Sequence, residues 1–182
     1  MSWLEQYRAL ARYNQWMNRK VYAATAQLDD GERKRDRSAF FKSIHGTLNH
    51  LLLADCVWLS RFLHDPTVMP RDASGAFIPL TSLAQEVYSD FDQLTLERAR
   101  LDMLILSYTH QLSEAALTGT LTYNTSAGAP QSHLLWWAVG HLFNHQTHHR
   151  GQITTLLSQA GLEVGATDLA AMLRQEVGPS PA

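Results

Sequence analysis

The chain has 182 residues, of which 45% are hydrophobic and 18% charged, a composition typical of a globular domain with a sizeable core. Its formal net charge of −2, without a cluster of basic residues, argues against nucleic acid as a partner. The single cysteine, Cys56, excludes an intramolecular disulfide, and no apolar run is long enough to span a membrane. Because the N-terminus also lacks a signal-peptide pattern, we expect a cytoplasmic protein.

The first predicted helix begins at Ser2, which forms a capping-box pattern with Glu5. Apolar residues then recur at helical spacing for more than twenty residues. We expect this helix to end at Asp29-Asp30-Gly31, with Gly31 as a left-handed cap, because glycine adopts that conformation without strain.

The second predicted helix runs from an N-cap at Ser38 to about His64. His50 lies among leucines on this helix, so we expect it to be buried. A buried neutral imidazole needs a partner, either a carbonyl or a metal ion, because an unpaired polar group costs about 1–3 kcal/mol. His45 has fewer apolar neighbours, and we expect it at the surface.

Residues 65–80 are rich in proline and predict a long loop, which either lines a site or simply connects two helices. A third helix is expected from Thr81 or Ser82 to near Leu117, since Ser82 and Gln85 fit a capping box.

Residues 120–130 alternate polar with apolar side chains and then contain turn-forming residues, which predicts a short hairpin or an ordered loop. Ser132 is the expected N-cap of a fourth helix, and Gly161 its C-terminal cap. A last short helix is expected from Leu169 to about Glu176.

The fourth helix carries a dense cluster of histidines: His141, His145, His148 and His149. Helical residues four apart lie about 6 Å from each other along one face, so two imidazoles at that spacing can bind one metal ion. His141 and His149 are about 12 Å apart along the axis and cannot share an ion. Three pairs stay open on geometry alone: His145 with His141, with His148 or with His149. An open catalytic site would need a third protein ligand. The alternative to a metal site is that the four histidines form a solvated polar edge of the helix.

Two stretches of this sequence resemble the DinB/YfiT-like family of metalloenzymes. They are Ser43-Ile44, Thr47-Leu48-Asn49-His50, Ala54-Asp55 and Trp58 on the second helix, and Asn144-His145-Gln-Thr-His148-His149-Arg150-Gly151-Gln152 on the fourth. Together with the predicted elements, the resemblance implies an all-α four-helix bundle of up-down-down-up type. A short hairpin or loop precedes its fourth helix, and a short C-terminal helix follows. One domain is expected over residues 1–178, with a frayed tail at 179–182.

The family's metal ligands are one histidine of the second helix and two, four residues apart, of the fourth. The resemblance therefore implies His50, His145 and His149 as ligands. His148 becomes a neighbour of the site, and the resemblance does not place His141. Zn²⁺ or Ni²⁺ is the expected ion, with Fe²⁺ and Mn²⁺ as alternatives that nitrogen ligands also bind.

The resemblance implies a metal-dependent enzyme with a small-molecule substrate, either an S-transferase that uses a low-molecular-weight thiol or a hydrolase. A metal ion with three neutral imidazole ligands lowers the pKa of a bound water or thiol, which suits both reactions. No carboxylate pair identifies a general base, although Asp102 or Glu97 could orient a ligand histidine.

The alternative function is a non-catalytic metal-binding bundle that acts through dimerisation. A homodimer is expected, and Trp58, Trp136 and Trp137 either shape a substrate pocket or pack in the core.

Overall fold

The structure is a computed structural model that describes residues 2–125 and 128–178. The frayed tail predicted at 179–182 lies outside these residues. The described chain is mostly helical, with one small antiparallel sheet. Its helices are α1 (Trp3–Thr25), α2 (Asp30–Lys34), α3 (Ile44–Leu63), α4 (Phe91–Gln111), α5 (Glu114–Thr118), α6 (Leu135–Gln159) and α7 (Leu169–Val177). The strands are β1 (Thr120–Asn124) and β2 (Pro130–Leu134), and a 3₁₀ turn spans Pro66–Val68.

The four long helices enclose the hydrophobic core. Helix α1 packs against α4 and α6, and α3 packs against the same two helices from the other side. Fully buried side chains line the inward faces of these helices: Met17 of α1, Leu48, Leu52 and Leu59 of α3, Leu94 and Leu101 of α4, and Ile153 and Leu157 of α6. Burial of each such side chain stabilises the fold by about 1.5–3 kcal/mol. No helix of the described residues is both long enough and apolar enough to span a bilayer.

Helix α1 ends earlier than expected. It stops at Thr25, and Asp29 becomes the N-cap of a new short helix, α2, through a 2.8 Å hydrogen bond from the Glu32 backbone N–H to its carboxylate. Gly31 lies inside α2 and is not a left-handed cap, so that prediction is wrong. An aspartate followed by an acidic first turn starts a helix here because both features match the positive N-terminal end of the dipole.

Helix α3 begins five residues later than predicted. Ser38 is not its N-cap but has a left-handed φ of 55°, whereas Ser43 Oγ accepts a 2.9 Å hydrogen bond from the Gly46 backbone N–H. The residues between them form a tight turn that runs against the first turn of α3. A Cβ on Gly46 would lie 2.3 Å from the Phe41 carbonyl oxygen, so this close approach requires glycine.

Helix α4 begins at Phe91, about ten residues later than predicted. The backbone N–H groups of Thr81 and Ser82 do donate to Gln85 Oε1, at 2.7 and 3.1 Å, but these contacts close a turn rather than a helix. The buried side chain of Asn49 explains the difference. Its Oδ1 accepts hydrogen bonds from two consecutive backbone N–H groups of residues 87 and 88, both 2.8 Å long, and so fixes this loop along α3.

The other end of the third predicted helix also differs, because α4 ends at Gln111 and the short α5 follows it. The predicted hairpin is confirmed, with Thr122 paired to Ser132. Ser132 is therefore a strand residue and not the N-cap of α6, which continues directly from β2. The cap at Gly161 is confirmed by its φ of 80°. The short C-terminal helix is also confirmed, as α7.

A buried polar network connects the four long helices. Arg98 of α4 lies 2.6 Å from Asp55 of α3 and 3.1 Å from Asp102 of α4. Asn18 of α1 donates to Asp102 at 2.9 Å. Gln146 of α6 donates to Asp55, so the network reaches the helix that carries the histidine cluster. Because these groups are buried, each depends on its partners to offset the loss of water.

We expect Arg98→Leu to destabilise the protein by about 3–5 kcal/mol, because it leaves Asp55 and Asp102 buried without their cation. Chemical denaturation of both proteins at the same pH measures this change. Arg100→Leu is the control, since Arg100 pairs with Glu97 at the surface and such pairs contribute about 0–1 kcal/mol. Similar free energies of unfolding for the two variants would contradict a stabilising role of the network.

Candidate metal centre

His50 lies in the second turn of α3, and its side chain is buried. Its Nδ1 is 2.8 Å from the carbonyl oxygen of Leu83, in the loop that precedes α4. Because a carbonyl can only accept, Nδ1 carries the proton and Nε2 presents a free lone pair. The loop therefore selects the tautomer that exposes Nε2 as a ligand atom.

His145 and His149 lie one turn apart on α6. His149 Nδ1 is 2.7 Å from Gln152 Oε1, which accepts its proton and leaves Nε2 of His149 as a second free lone pair. Gln152 is three residues further along the same helix, so this contact is local. It fixes the ring as a second partner commonly does for a metal-binding histidine.

The three rings converge on one point. His145 Nε2 is 3.2 Å from His50 Nε2 and 3.1 Å from His149 Nε2. One nitrogen from each of the three residues lies within 4.8 Å of the others. Two nitrogen ligands of a tetrahedral Zn²⁺ are separated by about 3.3 Å, given Zn–N bonds of about 2.0–2.1 Å. The spacing of the rings therefore fits a single ion.

The donor set also fits a cation chemically. With Nδ1 protonated on His50 and His149, both Nε2 lone pairs point toward Nε2 of His145. A single proton on His145 could satisfy one of them but not both. A metal ion at this point would accept all three lone pairs. The residues present are thus suited to hold a divalent ion.

Burial keeps these imidazoles neutral. It lowers the pKa of His145 to about 3, and the neighbouring His149 and His50 add to that shift. Burial also lowers the pKa of His50, against an opposing hydrogen bond to Leu83. The pKa of His149 is lowered by the same cause, against its hydrogen bond to Gln152. Neutral imidazole is the form that binds metals, so little proton competition is expected near neutral pH.

Phe41 covers one face of the cluster. Its ring stacks on His50 with a centroid distance of 3.9 Å and meets His149 edge-on at 5.5 Å. The tight turn before α3 places it there. No periodic pattern in the sequence marks Phe41, and the Leu83 carbonyl is a backbone atom without any residue signature. Gln152 is the one supporting residue with a sequence signal, because it lies on the same helix face as His145.

The remaining histidines do not join the cluster. His141 lies beside it, with its ring 5.7 Å from that of His145, and His148 is exposed next to His149. His45 is not at the surface as expected but is 0% exposed, and its Nε2–H donates to the Tyr88 carbonyl at 2.8 Å. That contact arises because the loop bound by Asn49 folds over this part of α3, which the apolar pattern of α3 alone does not reveal.

The carboxylates and the cysteine also lie away from the cluster. Asp102 pairs with Arg98, and Glu97 pairs with Arg100 at 2.7 Å, so neither orients a histidine. Cys56 is buried, and burial raises the pKa of its thiol to about 12, so it is a poor ligand. No fourth His, Cys, Asp or Glu joins the three histidines within the described parts of the chain.

Comparisons with known proteins identify the family of this chain. Residues 1–179 match the DinB family. The chain belongs to that family. Protein DinB of Bacillus subtilis (strain 168) is 28% identical over 159 residues, which cover 87% of this chain and 88% of that protein. A crystal structure of a DinB-like protein from Bacillus cereus has a TM-score of 0.54 at 20% identity and covers 82% of this chain and 89% of that chain, a likeness of fold.

The family match extends over both α3 and α6, and the structure brings His50 of the first together with His145 and His149 of the second. The helix spacing alone left three histidine pairs open. Of these three pairs, His145 and His149 are the one whose Nε2 atoms converge in the cluster, 3.1 Å apart.

A pH dependence follows from the burial of His45, which lowers its pKa, so the folded protein binds this proton less readily than the unfolded chain does. The stabilisation from burying neutral His45 is therefore fully present above the pKa of the unfolded chain, about 6.5. It is lost as the pH falls from that value toward the lower pKa of the folded protein. We expect the free energy of unfolding to fall between about pH 7 and about pH 5, and to fall less steeply in His45→Gln.

Because a single proton is involved, the free energies of unfolding of wild type and His45→Gln can differ in slope by at most about 1.4 kcal/mol per pH unit. Urea denaturation in the presence of a chelator measures it without a contribution from metal binding. His110→Gln, a change at an exposed histidine, is the control. Parallel pH profiles for wild type and His45→Gln would show that His45 does not contribute.

Proposed function

We propose that His50, His145 and His149 bind one divalent metal ion and that the protein is a metal-dependent enzyme acting on a small molecule. The observation that carries the proposal is the convergence of three Nε2 atoms, two of them with their Nδ1 protons already held by acceptors. Such an arrangement matches the ligand set of open catalytic zinc sites. Zn²⁺ or Ni²⁺ is the proposed ion, with Fe²⁺ or Mn²⁺ as alternatives.

Two features favour catalysis over a purely structural metal. A structural zinc site usually has four protein ligands, whereas three residues form the group here within the described chain. His145 is only partly buried, and exposed histidines at 141 and 148 flank it, so small molecules can approach. When bound, the ion would act as a Lewis acid that lowers the pKa of a coordinating water or thiol.

The proposed reaction is S-transfer with a low-molecular-weight thiol or hydrolysis. In either case the residues around the ion have separate roles. Leu83 and Gln152 hold the ring orientation of His50 and His149, and Phe41 excludes water from one face of the cluster. His141 lies beside the open side, where an imidazole can carry a proton to or from the substrate.

The scaffold is part of the proposal. We propose that residues 1–178 form a single domain, in which the four long helices make an up-down-down-up bundle around the core.

Large apolar side chains at the surface of α1 and α4 support a homodimer: Trp3, Leu96 and Met103. If the metallated protein had no catalytic activity, a non-catalytic metal-binding protein that acts through this dimer would be the remaining function.

We expect protein purified without chelator to bind about one equivalent of Zn²⁺ or Ni²⁺ per chain, and His145→Ala to reduce that affinity by at least about 100-fold. His145 is the central ligand, adjacent to both other nitrogen atoms. Elemental analysis and metal titration by calorimetry measure the effect. His148→Ala is the matched control from the same helix, and we expect less than about tenfold change in it.

Retention of the metal by a folded His145→Ala protein would contradict the assigned site. Activity is tested separately, with activated electrophiles in the presence of a panel of thiols, and with esters and amides in their absence. Turnover that depends on both the metal and His145 would support an enzyme. A fully metallated protein without turnover in any assay would instead support the binding function.

A further inference from the structure

A continuous band of rings runs from the three-histidine cluster toward the hairpin. The ring of His141 is 5.7 Å from that of His145, and the ring of Trp58 is 5.0 Å from His141. Tyr123 of β1 lies 5.4 Å from Trp58. Each of these side chains is at least partly exposed, so together they form a surface that a ligand at the cluster would also contact.

Arg61 lies at the far end of this band. Its guanidinium carbon is 4.8 Å from the ring centre of Trp58 and 4.1 Å from that of Tyr123. Because the two rings are inclined at 71° to each other, the planar guanidinium group can lie flat on only one of them, and the N–H donors at the edge away from the second ring stay available. Nη2 of Arg61 donates a long hydrogen bond, 3.5 Å, to the Asn124 carbonyl.

The charge of Arg61 is not neutralised locally. No carboxylate lies within ion-pair distance of it among residues 2–125 and 128–178. By contrast, Arg12 forms an ion pair with Glu176 at 2.7 Å. A half-buried, preorganised arginine with free edge donors matches the planar fork of a carboxylate.

The position of Arg61 on α3 sets its distance from the cluster. It comes eleven residues after His50, which places both on nearly the same helix face about 16 Å apart along the axis. The ring centres of His145, His141 and Trp58 and the guanidinium carbon of Arg61 lie 5.7, 5.0 and 4.8 Å apart in turn, so this group is no further from the His145 ring than that axial separation. A chain of about eight atoms extends about 10 Å, and a metal bond of about 2 Å at one end and a hydrogen bond of about 3 Å at the other bring its reach to about 15 Å.

We propose that Arg61, held between Trp58 and Tyr123, is a subsite that binds a carboxylate of the substrate, while the other end of that substrate reaches the three-histidine cluster. The apolar middle of the molecule would lie along Trp58 and His141. The inference rests on the proposed function, because it places the reacting end of the substrate at the metal. It narrows the substrate class to elongated small molecules with a terminal carboxylate.

The probe is suberic acid monohydroxamate, which carries a metal-binding hydroxamate at one end and a carboxylate at the other. Its methyl ester is the uncharged match. We expect the acid to bind zinc-loaded wild-type protein about tenfold more tightly than the ester, by calorimetry, because a charge-assisted pair contributes about one factor of ten. In Arg61→Gln the two compounds should bind equally, and Arg61→Lys should keep part of the preference.

Arg19→Gln is the control, since Arg19 is exposed on the opposite α1–α4 side of the molecule and should leave the preference unchanged. Thermal unfolding of each variant shows whether it is folded. Equal affinity of the acid and the ester in wild type would overturn the proposal. So would a tenfold preference that survives in folded Arg61→Gln, and Arg61 would then serve only to pack the hairpin on α3.

A further pair of probes separates this proposal from the proposed function. If the protein binds no metal, the function fails, and the subsite is tested on metal-free protein with phenylpropanoate against phenylpropanamide. A preference for the acid that Arg61→Gln abolishes would still support a carboxylate subsite. No preference in wild type would overturn it.

Discussion

The whole site depends on the direction of three imidazole lone pairs. Histidine has two ring nitrogens, and proximity alone does not decide which of them faces a neighbour. Here the Leu83 carbonyl and the Gln152 side chain each accept an Nδ1 proton, and Nε2 of both rings consequently points inward. A cluster oriented in this way is unfavourable without a cation, because lone pairs face one another. The protein therefore holds in place an arrangement that metal binding would relieve.

The buried polar network fixes the helices that carry these rings. Gln146 and Arg150 each follow a cluster histidine by one residue, so they project about 100° further round α6 and into the core. There Gln146 meets Asp55 of α3, and Arg150 meets Asn14 of α1. Hydrogen bonds between buried polar groups are directional, whereas apolar contacts tolerate sliding. We infer that this network sets the axial register between α3 and α6 and thereby the distance between His50 and His145.

The sequence predicts those parts of the site that follow from a regular period. The spacing of His145 and His149 follows from the helix repeat, and the burial of His50 follows from its leucine neighbours. Family resemblance supplies the connection between the two helices, which no local pattern contains. The contributions of Leu83 and Phe41 depend on loops whose paths are set by buried side chains such as Asn49. The same cause explains the errors at the start of α4 and in the burial of His45, since a non-local hydrogen bond overrides a local capping signal.

Charge balance connects the cluster to the surface beyond it. Three neutral imidazoles leave the full charge of a divalent ion uncompensated, which favours an anionic ligand such as a thiolate or hydroxide at the open position. Arg61 adds a second positive charge on the same side of the molecule, again without a carboxylate partner in the described chain. With a metal ion bound, the proposed site would present two separated positive charges joined by a band of aromatic rings, which would favour a molecule with two negative ends and an apolar middle. Neutral or cationic compounds of the same length would gain the contacts with the rings but not the pairing at either end. Under the proposed function, this arrangement would be a physical basis for substrate choice that does not depend on which reaction takes place at the metal.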